Sequence, residues 1–260
     1  MKQRMATAPA GSPLGSPGDE VSTAHAVREM FASVAPRYDF LNHFLSLGRD
    51  IAWRRAAANS LRTILGDPGS VAVDLCCGTG DLAVTLARFS KGRIIGTDFC
   101  HPMLQLARCK SACYFPRLTF VEADSLALPF ADDSLDALSI AFGFRNLANY
   151  RKGLEEMLRV LRPGGVVSIL EFSKVHCRIF GPIFRFYFRA ILPRLGTWLS
   201  GVAGPYQYLH ESVSCFLDQE ALALAMREAG FTSVTYRNFT GGIAALHTGV
   251  KQSVHGAAPH

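Results

Sequence analysis

The spacing of apolar residues changes near residue 70, and this change separates two differently patterned parts of the chain. Before it, apolar residues recur at helical spacing over 27–34 and again over 51–65. After it, short apolar runs typical of buried strands alternate with amphipathic helical stretches. This pattern predicts a helical N-terminal extension over 24–66, followed by a parallel sheet with helices on both faces.

Short apolar runs are expected to form the parallel strands of that sheet. They lie at 71–75, 93–97, 118–121, 135–141 and 166–171. The helices between them are expected at 81–89, from Pro102 onward and at 150–161. Farther along, Asp218 is expected to cap a helix, and the apolar segments 231–239 and 243–250 flank a glycine turn. These two segments predict an antiparallel hairpin at one edge of the sheet.

Composition and charge restrict the class of protein. Hydrophobic residues make up 49% and charged residues 18% of the 260, which excludes a wholly disordered protein. No run approaches the about 18 apolar residues of a spanning helix, and the N-terminus lacks the apolar core of a signal peptide. The seven cysteines, with Cys76 and Cys77 adjacent, do not resemble a disulfide framework, so reduced thiols and a cytoplasmic location are expected.

The net charge of +6 and pI near 9.0 indicate an anionic partner, either RNA or a membrane surface.

A glycine-rich turn follows the first predicted strand and carries the first candidate chemistry. Gly78, Thr79 and Gly80 lie between Asp74, at the end of that strand, and the following helix, and Asp98 ends the next strand. Glycines let the backbone approach a nucleotide, and the Asp98 carboxylate can accept both ribose hydroxyls of an adenosine. The same turn also fits a nicotinamide-binding fold, and Asp98 alone fits an N-cap of the next helix.

Two further features favour one of these nucleotide-binding classes. Asp124 and Ser125 follow the third strand, where a carboxylate can meet an adenine amino group, and a Leu-Arg-Pro-Gly-Gly turn precedes the fifth strand. The features described above, in this order along about 70–251, resemble those of class I S-adenosylmethionine-dependent methyltransferases. The expected fold is therefore α/β and Rossmann-like, with a mostly parallel sheet, an antiparallel edge hairpin and the helical N-terminal extension.

More specific motifs resemble the ubiquinone/menaquinone biosynthesis C-methyltransferase family from Ala24 to Lys251. They occupy 27–31, 34–42, 45–48, 53–55, 73–81, 142–146, 159–165, 171–173, 206–212 and 240–247. The resemblance implies S-adenosylmethionine as methyl donor and a prenylated quinol, methylated on a ring carbon, as acceptor. The Cys-Cys-Gly-Thr-Gly form of 76–80 favours a naphthoquinol, with a benzoquinol or phylloquinone precursor as the alternative. Ala141 stands where some relatives have a serine contact to the cofactor.

The resemblance also assigns roles to individual residues. Cofactor contacts fall on Thr79, Asp98, Asp124 and Ser125, which are the positions already reached from strand-end geometry. Because a ring carbon becomes nucleophilic only when an adjacent oxygen donates electrons, the acceptor must be the quinol, and its phenolate must be favoured. The candidate catalytic residues are Arg145, which can stabilise the phenolate, and Asn146, Tyr38 and Asp39, which can orient a water or share the proton. The alternative is that Arg145 and Asn146 satisfy a loop, and that Tyr38 and Asp39 are turn residues.

The remaining predictions concern organisation and partners. The expected divisions are a disordered tail at 1–20, a single methyltransferase domain at 21–251 and a tail at 252–260. Within the domain they are the extension at 24–66, a nucleotide-binding core at 70–175, a substrate cover at 176–212, and a helix and hairpin at 213–251. Between Glu171 and Glu211 the chain has basic residues but no acidic ones, and an amphipathic helix within 176–199 predicts peripheral contact with the inner membrane face.

The sequence favours three other interpretations less. Cys100, His101, Cys109 and Cys113 do not have zinc-site spacing, so no metal is expected. An RNA-binding protein or RNA methyltransferase would explain the charge, but the chain has neither an aromatic RNA-binding signature nor a base-flipping loop, so no nucleic acid partner is expected. A nicotinamide oxidoreductase remains the third class, and a binding titration with both cofactors discriminates it.

Overall fold

A seven-stranded sheet organises the part of the chain that the structure describes. The structure is a computed structural model that describes residues 11–13, 19–35, 39, 43, 46–174 and 205–253. The strands are β1 (Val71–Leu75), β2 (Arg93–Asp98), β3 (Leu118–Glu122), β4 (Leu135–Ala141), β5 (Leu161–Phe172), β6 (Phe231–Phe239) and β7 (Ala244–Lys251). Their order across the sheet is β3-β2-β1-β4-β5-β7-β6, in which β7 runs antiparallel to both of its neighbours. The predicted parallel sheet with an antiparallel edge is confirmed.

The described α-helices are α1 (Glu20–Val34), α2 (Arg49–Ser60), α3 (Arg62–Leu65), α4 (Asp81–Phe89), α5 (His101–Lys110), α6 (Tyr150–Val160), α7 (Pro205–Cys215) and α8 (Gln219–Glu228). A capping side chain begins α1, α6 and α8. Asn149 accepts from the Lys152 amide at 3.0 Å, and Asp218 accepts from the Ala221 amide at 3.0 Å. These side chains satisfy amide groups that the first turn of a helix leaves unpaired.

Helices pack against both faces of the sheet and bury a core on each. On one face Leu154 of α6 and Met226 of α8 pack with Leu138 of β4. On the other, Trp53 of α2 and Leu86 of α4 are buried against neighbouring strands. Each such large side chain contributes about 1.5–3 kcal/mol when fully buried. The two cores hold the carboxyl ends of the central strands in fixed positions.

The fifth strand begins earlier than its apolar pattern predicts. β5 starts at Leu161, directly after α6, and not at Val166, and Leu161 pairs with Leu135 of β4. The register then shifts between Leu135 and Ala137, and Gly164 has a φ of 83°. This irregularity lets a polar Arg-Pro-Gly-Gly segment lie within the strand, which periodicity alone cannot reveal.

Contacts with the folded part of the chain begin within residues 1–20, the segment that the sequence predicts to be a disordered tail. The carboxylate of Asp19 accepts from the Val21 and Ser22 amides, so α1 begins at Glu20. The Ser12 amide donates to the Leu147 carbonyl at 2.8 Å. Residues within the predicted 1–20 tail therefore bind the folded part of the chain.

Two sequence predictions lie outside the described residues. They are the catalytic candidate Tyr38 and the amphipathic helix within 176–199. Among the helices that are described, none has the length and apolar character needed to span a bilayer.

Candidate active site

A crevice opens at the carboxyl ends of β1, β2 and β4, where parallel sheets of this type bind ligands. It consists of two adjoining cavities with empty volumes of about 340 Å³ and 400 Å³. Both are lined by Cys76, Gly78 and Ala141, so they are two ends of one site. The first cavity is bordered mainly by polar groups, and the second carries aromatic and apolar side chains with one carboxylate and one amide. The lining residues outside the shared three are Arg54, Asp74, Cys77, Thr79, Asp81 and Leu82 in the first, and Phe31, Asp98, Phe99, Met103, Phe142, Gly143 and Asn146 in the second.

The glycine turn forms the floor between the two cavities. Gly78 and Gly80 have φ angles of 55° and 85°, in the left-handed region that glycine adopts at little cost. A Cβ atom on Gly80 would lie 3.3 Å from the Phe120 ring, tighter than ordinary van der Waals contact. The turn therefore packs closely on β3 with no side chain at either glycine, and the cofactor contacts expected for Gly78 and Gly80 stay predictions.

Asp98 borders the second cavity and also holds the glycine turn in place. Its carboxylate accepts hydrogen bonds from the amides of Gly78 and Cys100, each at 2.8 Å. Burial raises the pKa of Asp98 to about 6, although these amide bonds oppose the increase. Each carboxylate oxygen has two lone pairs, so both can still accept a ribose hydroxyl. The loop-supporting role and the predicted ribose-binding role are thus compatible.

Asp74 provides an unpaired buried oxygen beside the first cavity. Oδ1 accepts from the Ser139 hydroxyl at 2.8 Å, whereas Oδ2 has no hydrogen-bond partner among the described residues. Burial raises the pKa of Asp74 to about 7. A buried polar atom without a partner is costly, so this oxygen is suited to a ligand donor. The α-ammonium of the methionine end of S-adenosylmethionine is such a donor, and the site fits this cofactor.

Thr79 and Asp39 come together at the rim of the first cavity. The Thr79 hydroxyl donates to Asp39, and the Lys110 ammonium lies 2.6 Å from Asp39, 2.5 Å from Asp81 and 3.2 Å from Thr79. The sequence grouped Asp39 with Arg145 and Asn146. The structure instead joins Asp39 to the cofactor-binding turn, because the ammonium of Lys110 bridges two carboxylates.

Polar side chains of α2 and of neighbouring segments extend this network. His43, Asp50 and Asp81 each present one atom of a type that binds metals, all within 4.8 Å of one another. Arg54 donates to Asp50 and lies 3.6 Å from Asp81. Arg54, together with Lys110 on Asp81, supplies the positive charge that these carboxylates require.

Asp124 and Ser125 follow β3, and neither is among the described residues that line the two cavities. Ser125 is buried with its hydroxyl 3.3 Å from the Cys76 sulfur, and the Asp124 carboxylate accepts from the Leu126 amide at 2.9 Å. Ser125 thus supports a residue shared by both cavities. The nearby Glu122 is bound by Arg28 of α1 and by His101, whose Nδ1 lies 2.8 Å from Glu122.

Of the two candidates that follow β4, Asn146 borders the crevice and Arg145 lies in a buried ion pair. The Arg145 Nη1 donates to Glu171 at 2.8 Å and to the Phe142 carbonyl, and Nε lies 3.4 Å from the Ser212 hydroxyl. From the sequence we expected this guanidinium to face the reacting ring. The structure pairs it with Glu171 because a carboxylate only 1% exposed needs a compensating cation.

Two residues of the site were missed at the sequence level although they lie within the family motifs. Arg54 belongs to the motif at 53–55, and its spacing of four from Asp50 is that of a helical ion pair. Tyr208 belongs to the motif at 206–212, and its hydroxyl donates to Asn146 at 2.8 Å. Helical spacing was an available signal for Arg54. The Tyr208–Asn146 contact joins residues 62 positions apart and has no local signal.

The strand order, the glycine turn after β1 and the carboxylate after β2 define a class I S-adenosylmethionine-dependent methyltransferase. Solved structures agree on the fold. The [4+2]-cyclase SpnF has a TM-score of 0.67 at 16% identity, covering 94% of this chain and 99% of that chain. An S-adenosylmethionine-dependent methyltransferase from Thermotoga maritima has a TM-score of 0.56 at 17% identity, covering 87% of this chain and 100% of that chain.

The particular family follows from sequence. The chain belongs to the ubiE/COQ5 methyltransferase family, whose sequence model matches residues 19–251. It is 48% identical over 236 residues to demethylmenaquinone methyltransferase of Deinococcus radiodurans, covering 90% of this chain and 96% of that protein. It is 48% identical over 221 residues to the protein of the same name from Thermus thermophilus, covering 85% and 99%. The ubiquinone/menaquinone biosynthesis C-methyltransferase of Geobacter sulfurreducens is 44% identical, with coverage of 86% and 88%.

Proposed function

We propose that this protein transfers a methyl group from S-adenosylmethionine to a ring carbon of a prenylated demethylmenaquinol, giving menaquinol. The observation that carries the proposal is 48% identity to two proteins named demethylmenaquinone methyltransferase, across at least 96% of each. The two-ended crevice supports it, since a polar end suits the methionine part of the cofactor. The aromatic second end, with Phe142 packed 4.7 Å from Phe172, suits flat rings.

The chemistry requires the reduced acceptor. When bound, S-adenosylmethionine supplies an electrophilic methyl group on a positively charged sulfur. A quinol oxygen donates electrons into the ring, so the adjacent carbon forms the new C–C bond as the S–CH₃ bond breaks. The ring then loses its proton to restore aromaticity, and the products are menaquinol and S-adenosylhomocysteine. The oxidised quinone is electron-poor and cannot supply these electrons.

The residues of the crevice act by position and charge. Asn146 borders the aromatic cavity and is the described polar group suited to a hydrogen bond with the quinol oxygen. The buried Arg145–Glu171 pair fixes the segment that carries Asn146, so its contribution is to positioning. Asp39 acts with Thr79 at the methionine end. Tyr38 retains its sequence-based role of sharing the phenolic proton.

The substrate chain is isoprenoid, and we propose that the enzyme acts in the cytoplasm at the inner membrane face. Between Glu171 and Glu211 the sequence has no acidic residue but five basic ones, and the net charge is +6. These are Lys174, Arg178, Arg185, Arg189 and Arg194. Clustered basic residues beside aromatic ones favour binding to an anionic lipid surface, from which the enzyme takes its hydrophobic substrate.

The test is a methyl-transfer assay with labelled S-adenosylmethionine and matched acceptors. Purified protein is incubated with chemically reduced demethylmenaquinone, with the oxidised form, with a demethylated benzoquinol and with RNA, and products are identified by mass. Label is expected in menaquinol only when the reduced naphthoquinol is supplied. Label found only in the benzoquinol or in RNA would overturn the proposal.

A further inference from the structure

Residues 11–13 lie before the part of the chain that the family model matches, which begins at residue 19, yet they contact the acceptor end of the site. The Ser12 amide donates to the Leu147 carbonyl at 2.8 Å, and the Ser12 hydroxyl lies 2.9 Å from the Tyr208 hydroxyl. Leu147 directly follows Asn146 in the chain. Ser12 is therefore bound, through backbone and side chain, to both neighbours of the amide that borders the second cavity.

The N-terminal segment lies closely against the loop that follows Asn146. A Cβ atom on Gly11 would lie 1.9 Å from the Ala148 carbonyl oxygen, far too short for any real contact, so this position requires glycine. A second attachment follows at Glu20, whose carboxylate accepts from the Asn149 amide at 2.9 Å and from the Lys152 ammonium at 3.1 Å. The segment is thus attached to one loop and its following helix at two separate points.

The hydroxyls of Ser12 and Tyr208 form a hydrogen-bond chain with a defined direction. A phenol carries one proton, and Tyr208 donates it to Oδ1 of Asn146 at 2.8 Å. The Tyr208 oxygen is then left as the acceptor, so the Ser12 hydroxyl is the donor. Tyr208 is buried, and its burial raises the pKa of this phenol, so the hydroxyl keeps the proton that it donates. The chain ends at Asn146, with Oδ1 occupied and the Nδ2 donor beside the second cavity.

We propose that Ser12 is a positioning residue for methyl transfer, which acts through Tyr208 to keep the Nδ2 donor of Asn146 directed at the acceptor oxygen. The inference rests on the proposed function, in which Asn146 binds the quinol oxygen. A donor at that oxygen favours the phenolate, the form that makes the ring carbon nucleophilic, whereas a rotated amide would present a carbonyl and favour the protonated quinol. Neither Ser12 nor Tyr208 is among the described residues that line the cavities, so neither touches the cofactor there.

Kinetics of full-length variants test this role. Ser12→Ala should lower kcat with reduced demethylmenaquinone about two- to tenfold, the range for one neutral hydrogen bond. The affinity for S-adenosylhomocysteine, measured by calorimetry, should not change. Ser12→Thr keeps the hydroxyl and should restore most of the lost turnover. Ser134→Ala removes a hydroxyl bonded to the Ala131 carbonyl before β4 and is the matched control, with wild-type kcat expected.

A double variant shows whether Ser12 acts through Tyr208. In a Tyr208→Phe protein the hydrogen-bond chain is already broken, so adding Ser12→Ala should cause no further loss of kcat. A role of Ser12 in stability alone would instead give losses that add.

Gly11→Ala displaces the segment without altering any hydrogen-bonding side chain. The added Cβ would meet the Ala148 carbonyl, so Ser12 must move away from Tyr208. We expect a fall in kcat similar to that of Ser12→Ala, again with unchanged affinity for S-adenosylhomocysteine.

Several outcomes would overturn the proposal. They are wild-type kcat in folded Ser12→Ala or Gly11→Ala, a loss in Ser12→Thr as large as in Ser12→Ala, a parallel loss of cofactor affinity, or additive losses in the double variant. A wild-type protein that methylates no reduced naphthoquinol would instead overturn the proposed function itself, because every outcome above is measured against an active wild type.

Discussion

The hydroxyl of Tyr208 lies 2.8 Å from Oδ1 of Asn146 and donates a hydrogen bond to it. This bond fixes the orientation of the amide, because Oδ1 is used as the acceptor and Nδ2 remains a donor. Within the described part of the chain, Nδ2 itself makes only a long contact of 3.5 Å, to the Phe142 carbonyl. The Asn146 side chain that borders the second cavity therefore keeps a donor for an incoming oxygen atom.

Tyr208→Phe should lower turnover without affecting the cofactor. The variant loses the bond to Asn146 and also the contact of the Tyr208 hydroxyl with the Ser12 hydroxyl at 2.9 Å. The neutral bond to Asn146 contributes about 0.5–1.5 kcal/mol, so we expect kcat with reduced demethylmenaquinone to fall about two- to tenfold. The affinity for S-adenosylhomocysteine, measured by calorimetry, should stay constant. Tyr236→Phe removes a comparable hydroxyl, bonded to Glu220 on the surface, and serves as the control. Unchanged kcat in a folded Tyr208→Phe protein would refute this positioning role.

Arg145→Ala should destabilise the fold as well as reduce turnover. It leaves the buried Glu171 carboxylate unpaired, and breaking such a pair costs about 3–5 kcal/mol in the free energy of unfolding, measurable in urea. The double variant Arg145→Met with Glu171→Gln removes both charges and should regain much of that stability. Its turnover should stay low, since the pair also positions Asn146. Arg145→Lys should lie between these extremes. A single variant as stable as wild type would contradict the buried ion pair.

Asp98→Ala should weaken cofactor binding and loosen the glycine turn together. A charge-assisted hydrogen bond contributes about 1.5–3 kcal/mol, so affinity for S-adenosylhomocysteine should fall about tenfold or more. From sequence alone we expected little loss of stability, but two backbone amides lose their acceptor, so the free energy of unfolding should also drop. Calorimetry and urea denaturation separate the two effects. Wild-type affinity in the folded variant would exclude Asp98 from the cofactor site.

Binding should strengthen as pH rises through the Asp74 transition. Burial raises the pKa of this carboxyl to about 7, so it is largely protonated at lower pH and cannot pair with an ammonium. We expect the affinity for S-adenosylhomocysteine to increase from about pH 5.5 to about pH 7.5, with proton release on binding. Asp74→Asn should reduce this dependence and leave the part due to Asp98, whose pKa burial raises to about 6. A pH profile identical in the variant and wild type would show that another group titrates.

The stability of the protein without ligand should change with pH in the opposite direction. Because the folded-state pKa of Asp74 is raised above its unfolded value, the folded state holds the proton more tightly. This contribution is fully present below the unfolded pKa, near 3.9, and is lost as pH rises through the folded value. Asp74→Asn should therefore be more stable than wild type above neutral pH while binding the cofactor less well. Urea denaturation at several pH values provides the measurement.

Reversing the charge of Arg185 and Arg189 should reduce association with anionic vesicles. Each basic residue near an anionic surface contributes about 1 kcal/mol, so replacing both with Glu should lower binding by more than tenfold. Sedimentation with phosphatidylserine-containing vesicles measures the effect, and neutral vesicles provide the comparison. Undiminished binding would remove the basis for the proposed membrane contact.

Much of the fold was predictable because its signals are local. Apolar runs located the five parallel strands, and caps such as Asp218 and a proline in the first turn of α5 located helix starts. The early start of β5 was not predictable, because it depends on a register shift against β4. By contrast, the glycine turn and Asp98 were predictable, because they are parts of one sequence motif.

The side-chain pairing in the site required the three-dimensional structure. Arg145 and Glu171 are 26 positions apart, and Thr79 and Asp39 are 40 apart. Residue type and spacing indicated that Arg145 and Asp39 have a role, but not which partner each binds. For Arg145 this changed the expected action from direct contact with the ring to support of the neighbouring amide.

The position of β7 has a consequence for synthesis of the protein on the ribosome. β7 is the last of the described strands in chain order, yet it lies between β5 and β6 and pairs with both. The cofactor crevice is built from earlier strands and can begin to form while translation continues at about 5–20 residues per second. β6 is made before β7 and has no place in the sheet until Lys251 has emerged. A nascent chain that stalls before this point leaves β5 with an open edge, which is a template for aggregation.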